Sequence, residues 1–418
     1  MRLQGPGFPA ASRLFQALVR RPLIKLFARK APSSVSGGAE SGTLSLAYFS
    51  NGLLEEIDVD IREIKVEGYE KVLRAEDSET GLLGFIAVHS TVLGPAAGGM
   101  RIWWYEDEKD ALTDVLRLAE GMSYKSAVAR TGLGGGKAVM VSKPEGKTPE
   151  RLRAMGRFVD SLGGAYRIAE DVGCTVDDLM IVREETQWVT GLPQNIGGSG
   201  DPSPATAKGC ELAVRATLKR VFGSDSFEGR RISVLGTGAV GGRLVRHLVQ
   251  GGAQVLAFDI NKERQQQLAT ELGIELAASQ DELMQSECDL LSPCALGAIL
   301  NDESIPKLRC KAVAGAANNQ LLAPKHGAML QERGILYAPD YVVNAGGIVN
   351  IGVEFAPGGY SEKLAYEKIE RIPEALNEIF DLAEREGLPT AEAAQRVADQ
   401  IIEEGRRQQP SGAGKDPA

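Results

Sequence analysis

The chain has 418 residues, 43% hydrophobic and 25% charged, which is the balance of a soluble globular protein of two or three domains. Its net charge of -9 argues against a nucleic-acid partner, because phosphate binding rests on a basic surface, and no apolar run is long enough to span a bilayer. Five scattered cysteines (Cys174, Cys210, Cys288, Cys294, Cys310) and three distant histidines (His89, His247, His326) offer neither a C-x-x-C pair nor zinc spacing, so no metal is expected.

The first 39 residues lack Asp and Glu but carry Arg2, Arg13, Arg20, Arg21, Lys25, Arg29 and Lys30. Residues 1–42 therefore read as a basic leader, either a transit peptide or a disordered tail, and are set apart from the fold. The expected location is the mitochondrial matrix for a eukaryotic chain and the cytoplasm for a bacterial one.

Residues 43–195 read as a first α/β domain of alternating segments. The spacing predicts a strand from Gly84 to His89, an acid-started helix from Asp107 to Met122 and a second helix from Arg151 to Ser161. Between the first two lies Gly94-Pro95-Ala96-Ala97-Gly98-Gly99-Met100-Arg101, too glycine-rich to make a good strand alone and read as a loop that offers backbone N–H groups to an anion. On the first helix Leu112, Val115, Leu116, Ala119 and Met122 form an apolar stripe, and one further step of three reaches Lys125.

Gly134-Gly135-Gly136 then precede Lys137, which opens the apolar run Ala138-Val139-Met140-Val141. The spacing is not that of a phosphate loop: three residues separate Gly132 from Gly136, and Ala138 stands where a Ser or Thr would bind magnesium. Two lysines on apolar ground suggest instead that one holds an anion while the other, its charge disfavoured by burial, handles protons. Asp171, at the end of Tyr166-Arg167-Ile168-Ala169-Glu170-Asp171, could join them as a proton shuttle if it stands close by.

The Gly, Pro and Ser of Asn195 to Pro204 mark a boundary and a hinge, and Thr206 to Phe222 reads as a helix. Residues 196–380 then read as a Rossmann-type doubly wound domain. The strand Arg231 to Leu235, the G-x-G-x-x-G turn Gly236-Thr237-Gly238-Ala239-Val240-Gly241, a helix and a strand closed by Asp259 follow in the order a dinucleotide site requires. Asp259 should meet the adenosine ribose hydroxyls and repel a 2′-phosphate, which favours NAD over NADP. Further strand and helix segments follow, with Asn318 and Asn344 at strand ends, and amphipathic helices close the chain. Helices over 381–408 are expected to return to the first domain, and 409–418 reads as a disordered tail.

Several ordered runs together resemble the Glu/Leu/Phe/Val amino-acid dehydrogenase family, most of all its leucine branch. They are Gly94-Pro95-Ala96 with Gly98, Gly99 and Arg101; Lys125 and Gly134 to Lys137; Ala169 to Gly173; Pro202-Ser203-Pro204 with Thr206; Pro293 to Gly297; and Tyr337 to Asp340 with Asn344 to Gly347. The resemblance implies a two-domain fold with a cleft in which 43–195 is the substrate-binding and dimerisation domain, NAD-dependent reversible deamination of an amino acid, and a homo-oligomer, an octamer or a dimer. It implies that Lys125 binds the substrate carboxylate, Lys137 is the general base and Asp171 relays protons. Gly98 and Gly99 belong to the implied substrate site, and Thr206 and Asn318 join the glycine turn at the cofactor.

Glutamate enzymes of the family place Lys and Ser where Ala97 and Ile351 stand here. An unpartnered buried carboxylate would cost several kcal/mol, so a hydrophobic amino acid is expected instead. Ala169-Glu170-Asp171 resembles the leucine-type version and Ile348 and Ile351 add bulk, which points to leucine, valine or isoleucine; the small Ala97 resembles some phenylalanine enzymes, so phenylalanine is the alternative. A silent NAD-binding regulator would be expected to lack one of the three charged residues, and a hydroxy-acid dehydrogenase would need a histidine paired with a carboxylate.

Overall fold

The computed structural model describes residues 45–50, 53–143 and 146–408, so the leader over 1–42 and the tail over 409–418 lie outside the described residues. The described chain divides into two compact units. The first runs to Thr91 and adds Pro95–Met122 and Gly135–Val189; the second holds Val92–Gly94, Ser123–Gly134 and the chain from Thr190 onward.

The first unit begins with an antiparallel pair, β1 (Ser45–Ser50) and β2 (Leu53–Asp58). A six-stranded mixed sheet follows, made of β3 (Asp60–Glu63), β4 (Lys71–Asp77), β5 (Leu82–Ser90), β6 (Ala96–Trp103), β7 (Gly134–Val141) and β8 (Tyr166–Glu170) in the order β3-β4-β5-β7-β6-β8. The helices are α1 (Glu108–Val128), whose last turn belongs to the second unit, α2 (Pro149–Asp160) and α3 (Val176–Val182). Thr148 caps α2, and Thr175 with Asp178 forms a capping box on α3. Of the expected stripe of α1, Leu112, Val115, Leu116 and Ala119 are buried, with Ala111, in one core with Val72, Phe85, Ala87 and Val139, while Met122 is half-buried.

One expectation is corrected here. The glycine-rich segment read as a loop is strand β6, and its residues 96–100 are all buried. Glycine is a poor strand former in isolation, but here it permits close approach. A Cβ at Gly98 would stand 1.9 Å from the carbonyl oxygen of Gly136 on β7, and one at Gly99 would stand 2.3 Å from that of Glu170 on β8. The missing side chains let β6 nest between the strand that carries Lys137 and the strand that leads into Asp171.

The second unit is built on a parallel sheet of β9 (Arg231–Leu235), β10 (Gln254–Phe258), β11 (Glu275–Leu276), β12 (Leu290–Pro293), β13 (Ala312–Val313) and β14 (Leu336–Tyr337). Its spatial order, β11-β10-β9-β12-β13-β14, reverses between β9 and β12, the doubly wound arrangement that opens a ligand crevice at the switch point. The helices are α4 (Ser203–Phe222), α5 (Ala239–Gln250), α6 (Lys262–Leu272), α7 (Gln280–Gln285), α8 (Lys325–Glu332), α9 (Asp340–Val343), α10 (Gly346–Gly352), α11 (Glu362–Ile369), α12 (Ile372–Glu386) and α13 (Thr390–Gln408). Residues 381–408, expected to return to the first domain, group with this second unit, because α13 packs on α12, α8 and β14. Among the described residues no helix is long and apolar enough to cross a membrane.

Candidate active site

Lys137 sits in the middle of β7 rather than on a turn, and only 5% of it is exposed. A charge in that position needs a partner. It has one: the Nζ donates to Asp171 Oδ2 at 3.0 Å, from just past the end of β8. The same carboxylate oxygen accepts from Arg101 Nε at 3.2 Å, and Arg101 Nη1 reaches Asp114 Oδ2 at 2.9 Å. The Tyr105 hydroxyl donates to that Asp114 oxygen at 2.6 Å. Two cations and two carboxylates thus alternate within one unit, on β7, the loop after β8, β6 and α1.

Burial holds the Lys137 ammonium below its ordinary pKa despite the Asp171 carboxylate, and Arg101 pushes the same way as burial. For Asp171, burial favours the protonated form, but Lys137 and then Arg101 outweigh it and keep the carboxyl below its ordinary value. A lysine whose charged form burial disfavours, beside a carboxylate that stays ionised, is a couple suited to moving protons. Tyr166 fixes the frame beneath it: its fully buried hydroxyl donates to Gly98 O at 2.6 Å.

The remaining expected residues fall into the two units separately. Ala97, Gly98 and Gly99 are buried on β6. Lys125, on the last turn of α1, belongs to the second unit and is half-buried, not withdrawn from water as the stripe suggested; burial raises the pKa of the half-buried Asp340 of the same unit, and the Lys125 charge opposes that shift. On α10 Ile348 is buried and Ile351 half-buried. Arg101 figured in the sequence only within a run, and Asp114 and Tyr105 not at all. The available signal was an acid at 114 on the inward face of α1, beside Ala111 and Val115.

At the glycine turn the residues fit a dinucleotide. Gly236 adopts φ 97°, and a Cβ at Gly241 would stand 2.0 Å from the Gly236 carbonyl oxygen, so both positions need glycine for a tight turn against the helix. Gly238 is the N-cap of α5 and makes no side-chain cap bond, so no cap side chain takes up the first-turn N–H groups at Ala239 and Val240, which is the arrangement an anion can use. Asp259 lies at the tip of β10 and is 7% exposed. It accepts from the Thr237 N–H at 2.7 Å, the Thr237 hydroxyl at 3.0 Å and the Asn261 N–H at 2.8 Å. Burial alone would raise its pKa, but these bonds and Arg264, 3.7 Å away, hold it below the ordinary value and keep the carboxylate ionised. Asn318 Oδ1 accepts from Asn344 Nδ2 at 2.7 Å, and the Thr206 hydroxyl donates to Pro202 O at 2.9 Å.

Residues 66–191 match the Glu/Leu/Phe/Val dehydrogenase dimerisation domain, and residues 258–409 match the Glutamate/Leucine/Phenylalanine/Valine dehydrogenase domain. Leucine dehydrogenase of Thermoactinomyces intermedius is 47% identical over 336 residues, covering 80% of this chain and 91% of that protein. Phenylalanine dehydrogenase of Lysinibacillus sphaericus is 42% identical over 344 residues, covering 81% and 90%. The crystal structure of L-tryptophan dehydrogenase from Nostoc punctiforme superposes with a TM-score of 0.74 at 39% identity, over 82% of this chain and 97% of that one. With the Lys137 and Asp171 couple in one unit and the dinucleotide turn in the other, the chain belongs to the Glu/Leu/Phe/Val dehydrogenase family.

Proposed function

We propose that the chain catalyses the NAD-dependent, reversible oxidative deamination of leucine, valine or isoleucine to the 2-oxo acid and ammonia. The observation that carries this reading is the buried Lys137 held 3.0 Å from an ionised Asp171. Bound NAD supplies the hydride acceptor. Neutral Lys137 removes a proton from the water that adds to the substrate iminium, and Asp171 passes protons to and from the departing amine. The half-buried ammonium of Lys125 holds the substrate carboxylate. Gly238, Ala239 and Val240 would hold the pyrophosphate on their N–H groups, and Asp259 the adenosine ribose.

The side-chain preference rests on the absence of charge at Ala97 in the first unit and at Ile348 and Ile351 in the second. Relatives named as leucine, phenylalanine and valine dehydrogenases support an apolar substrate. Assayed in parallel with NAD and followed by NADH absorbance, leucine, valine and isoleucine should give the highest kcat/KM. Glutamate should fall at least about a hundredfold lower, since an unpaired buried carboxylate costs several kcal/mol. A dominant glutamate rate would refute the apolar reading, and a dominant phenylalanine rate would replace branched-chain by aromatic substrates. The match of 66–191 to a dimerisation domain supports a homo-oligomer, which light scattering on the purified chain would count.

A further inference from the structure

The Arg101 and Asp114 pair is not needed to join α1 to the sheet. Ala111, Val115 and Ala119 already bury α1 there, and apolar packing does that work without desolvating charges. Yet Asp114 is 5% exposed, Arg101 spends both ends of its guanidinium on carboxylates, and Tyr105 fixes Asp114 with a 2.6 Å bond. The placement of these charges is therefore informative. Arg101 stands against the Asp171 oxygen that Lys137 uses, and Asp114 stands behind Arg101.

We propose that Arg101 and Asp114 are positioning residues of opposite sign that set the proton affinity of Lys137 and hold the Asp171 carboxylate toward it. This inference rests on the proposed role of Lys137 as base. Removing the positive charge strengthens the hold of Lys137 on its proton, and removing the negative charge behind it weakens that hold. The groups that face the couple are Arg101 from β6, Asp114 from α1, Tyr105 from the segment leading into α1, and Tyr166 from β8. Both phenols are held neutral by burial, so the two charged residues carry the effect. The same signs follow for Lys137 itself: after burial and Asp171, Arg101 lowers its pKa and Asp114 raises it.

The test is the pH dependence of kcat for deamination, which rises as Lys137 loses its proton. In Arg101→Met the rising limb should move up by about one pH unit, and in Asp114→Asn it should move down by a similar amount. Arg101→Lys, which keeps the charge, should leave the limb near its wild-type position. Opposite displacements separate this role from a structural one, because a loosened site would not move two variants of one ion pair in contrary directions. Asp114→Asn is nearly isosteric and carries the sign alone should Arg101→Met fail to fold. With Lys137→Ala measured alongside, an inactive Lys137→Ala and limbs that stay put or move in the same direction overturn this inference alone. An active Lys137→Ala overturns the base assignment and this inference with it.

Discussion

Lys137→Ala should lower kcat by at least about three orders of magnitude while leaving the affinity for NAD unchanged. The reason lies in where the amine stands. It is almost wholly buried on β7, its proton affinity is reduced by burial and by Arg101, and its ion-pair partner is a carboxylate that stays ionised. Truncation removes the base without touching the glycine turn, Asp259 or the N-terminus of α5, all of which lie in the other unit. Steady-state kinetics with calorimetric NAD titration would read both quantities. Lys137→Arg sharpens the result: arginine keeps the charge but does not give up its proton, so a base is lost and an electrostatic clamp is kept. Activity in Lys137→Arg above about a tenth of wild type would mean that charge alone was needed.

What the sequence disclosed follows from how local each signal is. The strand, glycine turn, helix and closing acid from Arg231 to Asp259 are contiguous, so their spacing determines their geometry, and the helix before them runs over Ser203–Phe222 against an expected 206–222. The glycines of β6 were misread because a segment's own composition cannot report how near its neighbours come. The carbonyls of Gly136 and Glu170, from β7 and β8, make glycine obligatory at 98 and 99. The stripe of α1 failed at its end for a geometric reason. A repeated step of three lags a 3.6-residue helix by about 60° each time, so the row that is buried at Ala119 has turned outward by Met122 and Lys125. The tie between Arg101 and Asp114 joins a strand to a helix thirteen residues on, and nothing local to either residue announces it.

Gly98→Ala should destabilise the protein by about 3 kcal/mol or more, seen as a fall in Tm of about 6–12 °C, and should depress kcat in whatever remains folded. The added methyl has no compliant neighbour, because the atom 1.9 Å from it is a backbone carbonyl oxygen of β7 and the next, at 2.9 Å, is the carbon of that same carbonyl. Relief requires β6 and β7 to separate by more than about 1 Å, and well-packed interiors resist such a shift. Three consequences meet at that point. The strand that carries Lys137 moves away from β8, the bond from the Tyr166 hydroxyl to Gly98 O is strained, and Arg101, three residues along β6, loses its aim at Asp171. Gly121→Ala makes the control, since a Cβ there meets nothing within 4 Å at an exposed position of α1, and there the change should be neutral or slightly stabilising. Circular-dichroism melting with kcat on the same samples distinguishes the two sites. A Gly98→Ala protein that melted with wild type would show that the sheet does not depend on this contact, and that the 3.0 Å approach of Lys137 to Asp171 is held by the charges alone.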